Sequence, residues 1–334
     1  MTDTYAVPTA TGLPDHADLL DATRAVREVF PATPQQVWPL LGQDLGATVW
    51  VKHENHTPLG AFKARSAVVF FDRLARSGPL PRGVVSATRG NHGQALAYAA
   101  GRHRIPATVV VPHGNSREKN DAMRALGAEL IEHGDDFQES LDHAVRLADE
   151  RGIMLAPNFH PWIIAGAGTY ALELLSAVPD LEVVYVPIGL GSGVCGMLAA
   201  KAALAHPVEV VGVVSAGATA YADSIAAGEL VSTPVTTTLA DGMACRTPRA
   251  DALALIRDGV SRLVTVTDDE VSAAMRLLFR STHNVAEGAA AASTAAAVQE
   301  RARNADRTVG VVVTGGNVDT DVYAAQLGRT VDGA

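Results

Sequence analysis

Lys63 has the setting in this 334-residue chain most open to a chemical role. It follows Phe62 in HENHTPLGAFKARSA (53–67), just beyond a strand-like run and at the start of a helix-like one. A lysine so placed can condense with an aldehyde cofactor to form a Schiff base, provided partial burial lowers its pKa and leaves a fraction as free amine. An ordinary solvated lysine in a first helical turn satisfies the same segment equally well, so other residues must decide.

Three more segments bear on the choice. In VVSATRGNHGQALAYAAG (84–101) a strand runs into Thr88-Arg89-Gly90-Asn91-His92 before a helix begins. Successive N–H groups at a helix N-terminus make an anion site suited to a carboxylate, and Asn91 could hydrogen-bond a ring oxygen. A plain turn with a capping Asn is the alternative. In VVYVPIGLGSGVCGMLAA (183–200) the run Gly189-Leu190-Gly191-Ser192-Gly193 lies between a buried strand and a helix, where glycines let the backbone close round a phosphate. It is a poor dinucleotide fingerprint, because Ser215 and Ala216 stand where the acidic residue is expected. It also lacks the GK[ST] ending of an NTPase loop. In TVGVVVTGGNVD (308–319) a strand ends in Thr314-Gly315-Gly316-Asn317, where a neutral hydroxyl could face a ring nitrogen or simply cap a turn.

The elements that must hold these residues alternate along the chain. Strand-like runs fall at 47–54, 83–87, 107–112, 128–134, 153–157, 183–189, 208–215, 262–267 and 308–316. Several are unbroken Val/Ile runs, as in strands buried on both faces. Helical spacing fills the gaps. Ser116 to Lys119 opens one helix, with Gly127 as its C-cap, and Asp268-Asp269-Glu270 caps another. DLLDATRAVREVF (18–30) reads as a helical arm over the body. The alternation implies an α/β fold of parallel sheets with right-handed crossovers. Pro81 and Pro161 are the best candidate boundary marks.

Composition excludes several classes. The chain is 48% hydrophobic and 19% charged, enough for a packed core and too apolar for disorder. Its net charge is -9 with no basic cluster, so a nucleic-acid partner is not expected. Two cysteines, Cys195 and Cys245, form no CxxC pair and fit a reducing cytoplasm. MTDTYAVPTA has no signal-peptide pattern, and no apolar run reaches the ~18 residues of a membrane span.

Taken in order, the four segments resemble the serine/threonine dehydratase family of pyridoxal-phosphate (PLP) enzymes, the tryptophan-synthase-β-like fold type II. GAFKAR is similar to the family's GSFK.R, TRGNHGQ to S.GNH.Q, GLGSG to its tetraglycine loop and TGGN to SGGN. THNVAEGA (282–289), LADGMA (239–244) and APNFHPWIIAGAGT (156–169) extend the resemblance over roughly residues 30–320. Short dehydratases that degrade ectoine-type solutes share the TRGNHGQ and GLGSG style.

The resemblance implies two lobes, each an open and mostly parallel sheet flanked by helices, with PLP in the cleft. Residues 1–80 plus 160–334 would form the large PLP-binding domain and 81–159 the small one. It implies that Lys63 carries the cofactor and acts as the catalytic base. Phe62 would pack on the ring, Asn91 bond its hydroxyl, and Thr314 approach its nitrogen. Gly189, Leu190, Gly191, Ser192 and Gly193 would hold the phosphate, and Thr88, Arg89, Gly90, Asn91 and His92 would surround the substrate. The implied reaction is α,β-elimination from a small β-hydroxy-α-amino acid, giving a 2-keto acid and ammonium, by a homodimer without a C-terminal regulatory domain. Racemisation, β-replacement and silent PLP binding are the alternatives.

The chain departs from the pattern at Ala61, usually Ser, and at Ser192 within the glycine loop. The residue before Gly90 is small in relatives, and in serine racemases it is a Ser serving as second acid/base. Arg89 stays protonated and cannot readily do that, so racemisation is disfavoured. Arg89 instead meets an anionic substrate group, an acidic neighbour or solvent. Ser215 and Tyr221 replace acids expected in a divalent-metal site, so none is expected, with Asp223 the one objection. The 11 histidines, His53 and His56 included, show no metal-ligand set. Cys245 is either pocket-lining or an inert buried thiol, and Glu287 either lies near the reacting centre or serves a helix N-terminus.

Overall fold

The structure is a computed structural model and describes residues 12–329. Ten strands are seen among them: β1 Gln35–Val37, β2 Thr48–His53, β3 Val84–Ala87, β4 Ala107–Val111, β5 Glu129–Glu132, β6 Met154–Leu155, β7 Val183–Pro187, β8 Glu209–Ser215, β9 Arg262–Val266 and β10 Thr308–Val313. Six form one sheet in the order β1-β2-β10-β7-β8-β9, and four form a second in the order β5-β4-β3-β6. Every pairing is parallel except β1 with β2. The fold is thus the expected α/β arrangement of two sheets flanked by helices.

The Val-rich runs became strands because helices cover both faces. Val183, Val184, Tyr185 and Val186 of β7 are fully buried, as are Val309, Val311 and Val312 of β10. Each such valine contributes roughly 1.5–3 kcal/mol over an exposed one. β1 was not anticipated: Gln-Gln-Val carries no readable alternation and pairs with β2 at Gln36↔Val51. The runs expected at 128–134 and 153–157 shrink to β5 and β6, because pairing with β4 and β3 ends there.

Side-chain caps set several helix ends. Ser116 accepts from the Lys119 N–H and opens Arg117–Ala125, whose C-cap is Leu126; Gly127, expected there, follows at φ +85°. Thr267, not an aspartate, caps Asp268–Thr282, in a capping box with Glu270. The expected arm at 18–30 is the helix His16–Arg27, capped by Asp15. Its Ala22, Ala25 and Val26 pack with Ala64, Val68, Val69 and Ala165.

The helix Pro161–Ala177 brings two other helices together. A Cβ on Gly166 would lie 2.6 Å from the Arg65 carbonyl oxygen, and one on Gly196 would lie 2.6 Å from the Gly168 nitrogen. Only glycine permits those approaches, which draw the starts of Lys63–Ser77 and Ser192–Ala203 side by side. Beneath them Arg65 is fully buried and donates to Glu54, Glu173, Thr33 and Thr169, while Lys52 pairs with Glu173 at 2.6 Å. A buried cation paired this fully holds its segment in one register, and loss of either carboxylate would leave an uncompensated charge. Arg65 lies two residues from Lys63, so the network also fixes the turn that presents Lys63. Among the described residues no helix is long and apolar enough to cross a membrane.

Candidate active site

Lys63 opens its helix, and its Nζ donates to Ser192 Oγ at 2.9 Å. The ammonium lies 4.8 Å from the centroid of the Phe62 ring. Burial without a carboxylate partner lowers the Lys63 pKa to about 8, so a useful fraction is free amine near neutral pH. Phe62 is held from two sides: its N–H donates to the Thr314 carbonyl at 2.9 Å, and its ring meets Tyr170 edge-on.

Ser192 is the first residue of its helix, and Gly191 at φ +99° is an N-cap that supplies no side-chain acceptor. The first N–H groups and the helix dipole therefore face the Gly189–Gly193 turn, a ready anion cradle. The cradle is shaped from outside. Tyr221 donates to the Leu190 carbonyl at 3.1 Å and Tyr170 to the Gly193 carbonyl at 2.9 Å. The Gly242 carbonyl comes so close that a Cβ on Gly189 would lie 2.1 Å from it.

The Thr88–His92 turn lies beyond β3. Thr88 Oγ1 accepts from the Gly90 N–H at 3.0 Å, and Gly90, at φ +154°, caps Asn91–Arg102 without a side chain. A Cβ on Gly90 would lie 2.3 Å from Lys119 Cδ. His92 Nε2 is buried with no partner, and desolvation, aided by the charge of Lys63, lowers the His92 pKa to about 3. Neutral His92 beside Lys63 does not repel the ammonium.

Asn91 is fixed on both sides of its amide. It donates to Glu287 Oε1 at 2.6 Å and accepts from Asn317 Nδ2 at 2.9 Å. Glu287 Oε2 pairs with Lys119 Nζ at 3.1 Å. Desolvation opposes the charge on Lys119, yet Glu287 and Asp241 hold its pKa above the usual lysine value. Arg89 Nη1 lies 3.7 Å from Asp241.

Contacts thus join the four motif segments: Lys63 to Ser192, Phe62 to the Thr314 carbonyl, and Asn91 to Asn317. Sequence reading passed over Lys119, Asp241, Tyr170 and Tyr221 as site residues. Local sequence marks Lys119 only as a helix opener and Tyr221 only as a departure from an acid; the partner of Lys119, buried Glu287, is distant in sequence. Cys245 is buried, with its thiol on the Thr247 carbonyl and its pKa pushed up to about 11, which makes it inert. Asp223 accepts from Thr219 Oγ1 at 2.6 Å, and no cluster of three metal-binding side chains occurs among the described residues.

This donor set fits one cofactor: an amine of lowered pKa, an aromatic ring beside it, a fixed amide, a hydroxyl residue at a strand end and a capless helix start behind a glycine turn. A model of the pyridoxal-phosphate dependent enzyme family matches residues 26–315, and the chain belongs to that family. Its cofactor is pyridoxal phosphate. It is 35% identical over 289 residues to the L-threonine ammonia-lyase of Geobacter sulfurreducens, spanning 86% of this chain and 71% of that protein. It is 32% identical over 322 residues to the L-threo-3-hydroxyaspartate ammonia-lyase of Saccharomyces cerevisiae, spanning 96% and 98%. The crystal structure of a pyridoxal 5'-phosphate-dependent aspartate racemase superposes with a TM-score of 0.87 at 29% identity, covering 94% of this chain and 98% of that one.

Proposed function

We propose that this enzyme is an ammonia-lyase that removes the β-hydroxyl and then the amino group of a β-hydroxy-α-amino acid, yielding a 2-keto acid and ammonium. Pyridoxal phosphate supplies the electron sink for charge developing at the α-carbon. Lys63 would hold the cofactor through its amine and, as a free amine, would take the α-proton as general base. Its lowered pKa suits both tasks. Gly189, Leu190, Gly191, Ser192 and Gly193 would hold the phosphate through their N–H groups, and Phe62 would pack on the ring. Asn91, its amide fixed by Glu287 and Asn317, addresses the ring hydroxyl. Thr314 would offer the ring nitrogen a neutral hydroxyl in place of a carboxylate, which would suit loss of the β-hydroxyl. The Thr88–His92 turn takes the substrate carboxylate. The released enamine tautomerises and hydrolyses to the keto acid.

The contact between Lys63 and Ser192 carries this reading, because it puts a buried amine of lowered pKa, with no carboxylate partner, at the mouth of the phosphate cradle. The relatives that act on L-threonine and L-threo-3-hydroxyaspartate support the substrate class. The test is keto-acid and ammonium release by the purified holoenzyme from a panel of β-hydroxy amino acids, with the visible absorption of the lysine-bound cofactor recorded alongside. Lys63→Ala is expected to lose the borohydride-sensitive band and about 10²- to 10⁴-fold of turnover, the worth of a positioned base. A band that survives in Lys63→Ala contradicts the assignment of Lys63. Turnover of no panel member contradicts the elimination.

Racemisation is the second reading, favoured by the likeness to an aspartate racemase. It needs a second acid/base before Gly90, where Arg89 stands. Unreacted substrate recovered after partial turnover should therefore keep its configuration.

We further assign residues 81–159 to a small lobe and residues 1–80 plus 160–334 to the large PLP-binding lobe, supported by β3 to β6 all falling within 84–155. A homodimer in the cytoplasm completes the proposal. The two free buried thiols accord with a reducing compartment, and sedimentation of the holoenzyme tests the dimer.

A further inference from the structure

We infer that the substrate carries a second carboxylate, on its β-carbon, and that Arg89 is the residue that selects it. The inference rests on the elimination reading and narrows it.

Two cations attend the substrate turn. Arg89 lies within the turn, and Lys119 comes from the helix Arg117–Ala125 packed behind Gly90. Asp241 stands between them, with Arg89 Nη1 and Lys119 Nζ each 3.7 Å from one of its oxygens. Neither separation is a hydrogen bond. Lys119 has a better partner in Glu287 at 3.1 Å, and Glu287 also fixes Asn91. Lys119 is therefore matched, and Arg89 is not.

Arg89 Nε is buried and has no acceptor. A guanidinium always carries its charge, and a buried N–H without an acceptor is costly until an oxygen reaches it. Its planar fork suits a carboxylate held through two parallel bonds. The α-carboxylate is already provided for by the N–H groups of the turn, so the oxygens for Arg89 must come from elsewhere on the substrate. Asp241 can give way: its side chain is one-third exposed, and no hydrogen bond ties its carboxylate. The next residue, Gly242, abuts Gly189, so an anion reaching Arg89 would sit between the phosphate cradle and the substrate turn. A threonine methyl there would leave Arg89 Nε unpaired, and a cationic substituent would face Arg89 and Lys119 together.

The test separates binding from turnover. Calorimetry on the holoenzyme compares succinate, a dicarboxylate that cannot react, with butyrate. Succinate should bind about 10- to 100-fold more tightly, the scale of one charge-assisted pair. Arg89→Met should abolish the difference, and Arg89→Lys should restore part of it. Asp241→Asn, which removes the competing anion, should tighten succinate. In turnover, the ratio of kcat/KM for 3-hydroxyaspartate to that for threonine should fall by about the same factor in Arg89→Met. Equal binding of the two probes, an unchanged ratio in Arg89→Met, or weaker succinate binding in Asp241→Asn overturns the inference. If the probe preference holds and no β-hydroxy amino acid reacts, Arg89 stands as the anion-selecting residue and the elimination reading fails.

Discussion

The pKa of Lys63 is set by what is missing around it. No carboxylate offsets its burial, so its pKa lies near 8, whereas buried Lys119, paired with Glu287, moves the other way. The base must be neutral to take the α-proton, so kcat should rise with pH up to a midpoint about 8 and level above it. A kcat that falls over that span would place the base elsewhere. His92, held neutral by burial, should contribute no limb near its ordinary pKa. The lysine, the amide and the glycines were legible because each belongs to a local motif. Arg89 was legible only as an anomaly, until Asp241 and its orphaned Nε gave it a neighbourhood.

Turns and helix starts do the positioning. Gly189 is the sharpest case, since any side chain there strikes the Gly242 carbonyl. Gly189→Ala should push the 241–243 segment off the phosphate cradle and weaken PLP affinity at least about tenfold, as the loss of one or two N–H bonds to a charged group predicts. Fluorescence titration of the apoenzyme checks this, and unchanged affinity would show that the cradle does not depend on that approach. Ser116 was legible as a cap, but Asp319 was not. Asp319 accepts from Ser116 Oγ at 2.5 Å and from the Glu118 and Arg117 N–H groups at 3.2 Å, while Glu118 accepts from the Thr320 N–H. Two elements some two hundred residues apart thus cap each other, and that pairing holds the helix that carries Lys119.

At the scale of the molecule, burial of neutral histidines makes stability depend on pH. His53 accepts from the Trp38 indole at 2.9 Å, and desolvation lowers its pKa to about 4; that of His92 falls to about 3. Unfolding returns both to about 6.5. Between these values the unfolded chain binds more protons, so stability rises with pH there: it is complete above about 6.5 and is lost as pH falls toward 4. The thermal midpoint should drop over that window, and His53→Gln should flatten the slope. An equal slope in the variant would assign the acid sensitivity to other groups.

By itself the sequence determined most of the strands, where several helices begin, and which lysine and turns are set for chemistry, while the cofactor came from the resemblance of those motifs to a family. The local part follows from local causes: unbroken valine runs, capping side chains, glycines before helices. Only the tertiary structure decided the partners. β1 exists because β2 offers it an edge, Lys63 meets Ser192 because glycines let three helices close, and Glu287 reaches Asn91 and Lys119 from far along the chain. Burial and charge balance belong to the packed assembly. They lowered the pKa of a motif lysine and left the Nε of an arginine without an acceptor.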